Sequence, residues 1–211
     1  MLVHMEVDLN RLGYIMYAYG DDIKTSDGST TFHIAGNTTN GTASNATFST
    51  DQGFVQVSEN RLVVADRGNR VLRAIDQKTL STFNFCNSRI YFAMNMIKDN
   101  RNKEQLLVVD YWYGGKTRVD ANTGTLSKLV EDASIRKIRY LTQDEEGDLY
   151  TTASHGVFKV TYEEKKVTLI SGIPNKPGYK DSTVADSLYN DPHDITVIGP
   201  GTLLVADYRN S

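Results

Sequence analysis

The chain has 211 residues, of which 39% are hydrophobic and 23% are charged, and its formal net charge at pH 7 is −3. This balance is typical of a folded globular protein and excludes the low-hydrophobicity, high-charge composition of a disordered one. The acidic balance excludes a general attraction to nucleic acid or anionic lipid. No stretch approaches the roughly 18 apolar residues of a membrane helix, and residues 1–10 do not resemble a signal peptide.

The single cysteine, Cys86, excludes a disulfide within the chain. It lies among strand-like neighbours in Phe83-Asn84-Phe85-Cys86. Because free cysteine is among the most buried residue types, we expect a buried structural thiol.

Two segments of the chain repeat one pattern at an offset of about 140 residues, the first over 35–69 and the second over 171–210. Each begins with a small residue and Gly, continues through a polar loop and a strand, and reaches an apolar run that ends in Ala-Asp. Weaker copies lie between them, so the offset divides into three units of about 47 residues. Units of this length with four short strands are typical of β-propeller blades.

The turn after the second strand of each unit carries a recurring aspartate, namely Asp66, Asp110 or Asp207. In Asp66-Arg67-Gly68-Asn69 we expect the carboxylate to accept backbone N–H groups and Gly68 to supply a positive φ. Asn69 stands three positions after its aspartate. The recurrence predicts a structural role for these residues in the turn, and calcium binding by the three carboxylates is the alternative.

These patterns resemble the NHL-repeat family of β-propellers. Residues 62–76, Leu-Val-Val-Ala-Asp-Arg-Gly-Asn-Arg-Val-Leu-Arg-Ala-Ile-Asp, match the family's second strand, turn and third strand, with Arg70 in place of the family's histidine. Residues 172–210 match equally well. The resemblance implies an all-β propeller of four-stranded blades, usually six in number, and says little about function because propellers host many functions.

The phase of the repeats predicts one propeller domain over 1–211. Its expected parts are a half-blade at 14–35, whole blades at about 53–85, 90–130 and 138–170, and a half-blade at 193–207. This gives about four blades, three whole and two half, and we expect the chain to be a fragment of a six-bladed propeller. The alternative is a closed four-bladed ring, in which strand 202–206 pairs with the strand that begins near Tyr14.

His193 is the one histidine in a motif with a chemical precedent. Asp191-Pro192-His193-Asp194-Ile195 is similar to the Pro-His-Asp-Ile stretch of peptidylglycine α-amidating lyases, a resemblance that implies a zinc-ligand role near the central channel. The other histidines, His4, His33 and His155, lie in no matching motif. We therefore expect His193 to be a rim or turn histidine and the chain to hold no cofactor, with zinc or calcium as the alternatives.

One cluster combines aromatic and basic residues: Tyr111, Trp112 and Tyr113 precede Lys116 and Arg118 in a turn between two strands. Aromatic side chains at a loop tip are typical of contact points with a partner, although they also pack over sheet edges. The sequence pI of about 5.8 argues against nucleic acid. The partner-binding candidates are Tyr111, Trp112, Tyr113 and His193, and a protein partner is expected.

Three N-glycosylation sequons begin at Asn37, Asn40 and Asn45 in one polar loop. This density suits an exposed loop of an extracellular protein or ectodomain. We find no nucleotide-binding or nucleophile-elbow motif. The sequence therefore favours a non-catalytic propeller that serves as a protein- or ligand-binding scaffold; the alternative is a metal-dependent propeller enzyme of the amidating-lyase or lactonase type.

Overall fold

The structure is a computed structural model of the whole chain. It describes residues 2–7, 15–19, 22–26, 29, 31–36, 48–49, 51–79, 81–86, 90–111, 115–132, 135 and 137–210. Strands dominate these residues, and the single helical element among them is a 3-10 turn at Tyr208–Asn210. The predicted all-β class is confirmed.

The strands form four four-stranded sheets and one two-stranded sheet within the described residues, and each sheet keeps its strands in chain order. The first contains β1 (Leu2–Val7), β2 (Ile15–Tyr19), β3 (Asp22–Ser26) and β4 (Thr31–Gly36); the second β5 (Asp51–Ser58), β6 (Arg61–Asp66), β7 (Val71–Asp76) and β8 (Ser81–Asn84). The third contains β9 (Ala93–Lys98), β10 (Gln105–Asp110), β11 (Gly115–Asp120) and β12 (Leu126–Glu131); the fourth β13 (Leu141–Gln143), β14 (Leu149–Ala153), β15 (Gly156–Val160) and β16 (Val167–Gly172). The fifth sheet is the hairpin of β17 (Pro192–Gly199) and β18 (Thr202–Asp207). Meanders of this kind are the blades of a propeller.

The first sheet differs from the sequence-based expectation. The segment 14–35, expected to be a half-blade, supplies three strands, and β1 adds a fourth by pairing antiparallel with β2. Within this segment β2 and β3 are separate strands of one hairpin. β2 therefore has β1 on one edge and β3 on the other.

The chain divides into two compact units, residues 1–96 with 120–126 and residues 97–119 with 127–211. In the first, β6 is buried on both faces, because Leu62, Val63, Val64 and Ala65 are all 0% exposed. Such an unbroken apolar run fits a central strand covered on both sides, and each large side chain contributes roughly 1.5–3 kcal/mol by its burial. Cys86 is also buried in this unit.

The turn after β6 is fastened by its aspartate. Asp66 accepts from the backbone N–H of Ser49 at 2.9 Å and from the side-chain amide of Asn69 at 2.8 Å. It also pairs with the buried guanidinium of Arg73 at 3.2 Å. These contacts tie the turn to the chain that leads into β5.

Gly68 is required in this turn for a reason other than the expected one. The left-handed residue is Arg70, with φ of 60°, and not Gly68. The Gly68 N–H donates to Ser49 O at 2.7 Å, and a Cβ on Gly68 would lie 2.6 Å from that same oxygen. Glycine therefore permits close approach of two backbone segments, and the positive-φ explanation is wrong.

Candidate functional site

Loops at one end of the fourth sheet enclose a small polar cleft within the second unit. In an antiparallel meander, the turn between the second and third strands lies at the same end as the connections into the first strand and out of the fourth. That end therefore gathers the segment before β13, the β14–β15 turn and the loop before β17. The cleft measures about 240 Å³ and is lined by Tyr111, Lys137, Arg139, Ala153, Ser154, His155, Asn175, Asp191, Pro192 and Arg209.

Asp191 is the electrostatic centre of this cleft. Its carboxylate oxygens lie 3.2 and 3.4 Å from Nη2 of Arg139. Nε of Arg209 and Nε2 of His193 approach Oδ2 at 3.4 and 3.6 Å. The Asp191 and Arg139 side chains are 23% and 22% exposed, whereas Arg209 is 66% exposed. The Arg139 contact is thus the better shielded of the two arginine contacts.

The backbone of the cleft is unusually strained. Seven described non-glycine residues have positive φ, and five of them line the cleft: Lys137 (59°), Ser154 (47°), His155 (70°), Asn175 (61°) and Asp191 (56°). Ser154 and His155 are the central residues of the two-residue β14–β15 hairpin, where positive φ is the favoured turn geometry. At Lys137, Asn175 and Asp191 the conformation costs on the order of 1–3 kcal/mol and persists where the surroundings enforce it. Strain of this kind concentrates at binding and catalytic sites.

A backbone contact fixes the hydrogen-bonding roles of the two ring nitrogens of His155. The Asp191 N–H donates to Nδ1 of His155 at 3.1 Å. Because an amide N–H is always the donor, Nδ1 is the acceptor, and Nε2 is the ring nitrogen that is left to donate. Gly172 packs closely against this turn. Its φ is 84°, and a Cβ there would lie 2.7 Å from the His155 carbonyl oxygen.

His193 flanks the cleft on the side of the fifth sheet. Its ring stacks on Tyr208 with centroids 4.3 Å apart and an interplanar angle of 21°. Burial lowers the pKa of His193, as does the nearby charge of Arg139, while Asp191 partly opposes both effects. The imidazole is therefore largely neutral at pH 7.

Tyr111 is the described member of the predicted aromatic cluster. The guanidinium of Arg139 lies 5.3 Å from the centre of its ring, and its carbonyl accepts from the Lys137 N–H at 3.0 Å. The structure thus brings Tyr111 and His193, both predicted partner contacts, to one cleft. Trp112 and Tyr113 lie outside the described residues, as do the sequon residues Asn37, Asn40 and Asn45.

The described residues do not fit a zinc ion. Among them, no group of three or more His, Cys, Asp or Glu side chains is placed to hold a metal. Nδ1 of His155 is also occupied by the Asp191 N–H. The recurring aspartate Asp207 likewise uses its oxygens on Asn190 and Asn210, at 2.7 and 2.6 Å.

A larger cleft of about 580 Å³ opens at the other end of the fourth sheet. Two of its lining side chains have partners: the hydroxyl of Tyr150 donates to Asp144 at 2.9 Å, and Lys159 meets Asp148 at 2.7 Å. Its other wall is the apolar β17–β18 turn, where Ile198 is 60% exposed. The carboxylates of Glu145 and Glu146 also line this cleft.

Sequence reasoning missed Arg139, His155, Asn175 and Asp191 as members of one site. The Asp-Pro-His motif drew attention to His193 but not to its neighbour Asp191. A left-handed φ at a non-glycine residue leaves little trace in a sequence beyond an enrichment of Asn, Asp and His. Arg139 stands 52 residues before Asp191, so their pairing depends on the fold.

No protein-family model and no curated protein matches the sequence. Among solved structures, the chain is similar to an auxiliary nutrient binding protein from Bacteroides thetaiotaomicron, with a TM-score of 0.74, 10% identity, and coverage of 99% of this chain and 53% of that one. It is also similar to virginiamycin B lyase from Staphylococcus aureus (TM-score 0.65, 9% identity, 94% and 60% covered). The nidogen/laminin complex matches with a TM-score of 0.72 and 10% identity, over 99% of this chain and 72% of that one.

These likenesses show the fold, a β-propeller. The chain spans 53% of the length of the nutrient binding protein and 60% of that of the lyase. None of the helices in the described residues is long and apolar enough to cross a membrane.

Proposed function

We propose that this protein is a non-catalytic, ligand-binding β-propeller whose recognition site is the cleft around Asp191. The observation that carries the proposal is the clustering of five left-handed non-glycine residues in that one cleft. Positive φ at Ser154 and His155 belongs to the β14–β15 hairpin turn, whereas at Lys137, Asn175 and Asp191 it fixes loops, and pre-organised loops reduce the entropy lost on binding. Loops held by a rigid sheet are also the usual position of binding residues.

The finer identity of the module is part of the proposal. We assign the blades to the NHL type, which is supported by the Asp-x-x-Asn turns at Asp66 and Asp207, where each aspartate accepts from the asparagine three residues later. We place the protein outside the cell, on the basis of the three sequons. The nutrient binding protein that shares the fold is a precedent for a binding role, and the nidogen/laminin complex is a precedent for a protein partner.

A thermal-shift screen of small metabolites, oligosaccharides and peptides tests the binding proposal. The affinity of each hit is then measured for the wild type, for Asp191→Asn and for the control Asp186→Asn, which removes the same charge from an exposed loop of the same unit. We expect Asp191→Asn to change the affinity about tenfold, roughly 1.4 kcal/mol, because Arg139 loses the carboxylate that orients it and offsets its charge. Hits that bind both variants equally well would place recognition elsewhere.

A catalytic function is the second candidate, favoured by the two imidazoles that flank Asp191. His155 accepts from its N–H, and His193 lies 3.6 Å from its carboxylate. A lyase also shares the fold. Product analysis of each hit incubated with the protein, together with zinc analysis of the protein and of His193→Ala, separates the two functions. Turnover, or one equivalent of zinc that is lost on substitution, would favour the enzyme.

A further inference from the structure

The charges of the cleft around Asp191 are unevenly distributed. Lys137, Arg139 and Arg209 line it with positive charge, while Asp191 is the one carboxylate among the described lining residues. Both oxygens of that carboxylate already contact a cationic group or an imidazole. The cleft therefore has more positive charge than its own carboxylate neutralises.

Donors remain after the internal contacts are made. Arg139 uses only Nη2 toward Asp191, and Arg209 uses Nε. A guanidinium has five N–H donors in a rigid fork. Within the described part of the chain, no acceptor is found for Nη1 of Arg139 or for either terminal nitrogen of Arg209. The Nζ of Lys137 and the Nε2–H of His155 add donors to the same cleft.

The existing contacts orient these donors. Asp191 holds Arg139 from one side, and the ring of Tyr111 lies 5.3 Å from the same guanidinium. A guanidinium held in this way loses less side-chain entropy when it meets a further acceptor. Its planar fork matches the paired oxygens of carboxylate and phosphate groups.

We propose that the cleft binds an oxyanion, the carboxylate or phosphate group of its ligand, between Arg139, Arg209, Lys137 and His155. This inference rests on the proposed function and adds the chemical class of the ligand. The oxyanion accepts from the remaining arginine donors, and its charge offsets the excess positive charge around Asp191. Because Arg209 and Lys137 are exposed, their contribution decreases as salt increases.

The test uses sodium acetate and sodium phosphate as separate probes, titrated at constant ionic strength while backbone amide NMR signals are recorded. We expect saturable shifts at cleft residues such as Asn175 and Asp191. Lys137→Gln and Arg209→Gln should each weaken probe binding about tenfold, the equivalent of one charge-assisted contact. Lys166→Gln is the matched control, because Lys166 is exposed in the β15–β16 turn at the opposite end of the sheet, and it should leave binding unchanged.

Tighter binding of phosphate identifies a phosphorylated ligand, and tighter binding of acetate identifies a carboxylate. If neither probe saturates below about 100 mM, or if Lys166→Gln weakens binding as much as Lys137→Gln, the oxyanion proposal is overturned. Neutral hits that still lose affinity in Asp191→Asn would then leave the proposed function standing. If no ligand depends on Asp191, both proposals fall.

Discussion

The backbone N–H of Asn190 donates to Oδ1 of Asp207 at 2.7 Å, across a separation of 17 residues. In the other unit, Ser49 donates to Asp66 at 2.9 Å across the same separation. In both places an asparagine side chain three residues later occupies the second carboxylate oxygen. The recurring aspartate thus joins the turn after a blade's second strand to the residue that precedes its first.

Asp66→Asn should destabilise the fold. The amide still accepts from Ser49, but the guanidinium of Arg73, 4% exposed at its side chain, loses its charged partner. An uncompensated buried charge costs about 3–5 kcal/mol, and urea unfolding should show this as a lower midpoint.

The matched control is Asp76→Asn, because Asp76 ends β7 and its carboxylate accepts from the Lys78 and Thr79 backbone N–H groups at 2.9 and 2.8 Å without pairing with a buried arginine. An asparagine retains an acceptor there, so the midpoint should shift by less than about 0.5 kcal/mol. Equal loss of stability in both variants would contradict the special role of Asp66.

The sequence pattern predicted β6 and β10 because their apolar residues form the unbroken runs that are typical of a buried central strand. It did not predict that β1 completes the first sheet, because Leu2–Val7 alternates polar and apolar residues without a clear repeat motif. The cleft around Asp191 could not be predicted from the sequence. Its cation, carboxylate and imidazole come from segments that have no shared sequence pattern and meet only when β13, β14 and β17 are in place.

Gly172→Ala should destabilise the second unit by about 2 kcal/mol. Gly172 has φ of 84°, and a new Cβ would meet the His155 carbonyl at 2.7 Å and Tyr189 at 2.9 Å. Gly199→Ala is the matched control, since no atom lies within 4 Å of its added Cβ. Thermal unfolding of the two variants measures the difference. If Gly172→Ala left the unfolding temperature unchanged, the His155 turn would be able to move and accommodate the new Cβ, and the prediction would be wrong.

Asp191→Gly should alter ligand affinity while leaving the stability of the fold nearly unchanged. Glycine adopts the 56° φ of this position without strain, and the half-exposed contacts that are lost contribute little, so the unfolding midpoint should move by less than about 1 kcal/mol. Ligand affinity should nevertheless change about tenfold, because the carboxylate that orients Arg139 and offsets its charge is gone. Lys165→Gly, which relieves a φ of 56° outside the cleft, should retain full affinity.

The stability of the second unit should depend on pH through His193. Burial and Arg139 lower its pKa in the folded protein, so below the ordinary value of about 6.5 the unfolded chain binds more protons than the folded one. The free energy of unfolding therefore falls as pH decreases through 6.5, and the fall ends below the folded pKa. In His193→Gln this part of the pH dependence should disappear from urea unfolding measured between pH 5 and about 7.5. An unchanged slope would contradict the lowered pKa.

The imidazole NMR spectrum tests the assignment of the binding cleft most directly, because the chain has only four histidines. His155 lines the cleft and His193 contacts its Asp191, whereas His4 and His33 belong to the first unit. We expect a ligand from the screen to shift the ring signals of His155 and His193 saturably and to leave those of His4 and His33 in place. Shifts confined to His4 and His33, with the cleft signals unmoved at saturation, would contradict the account.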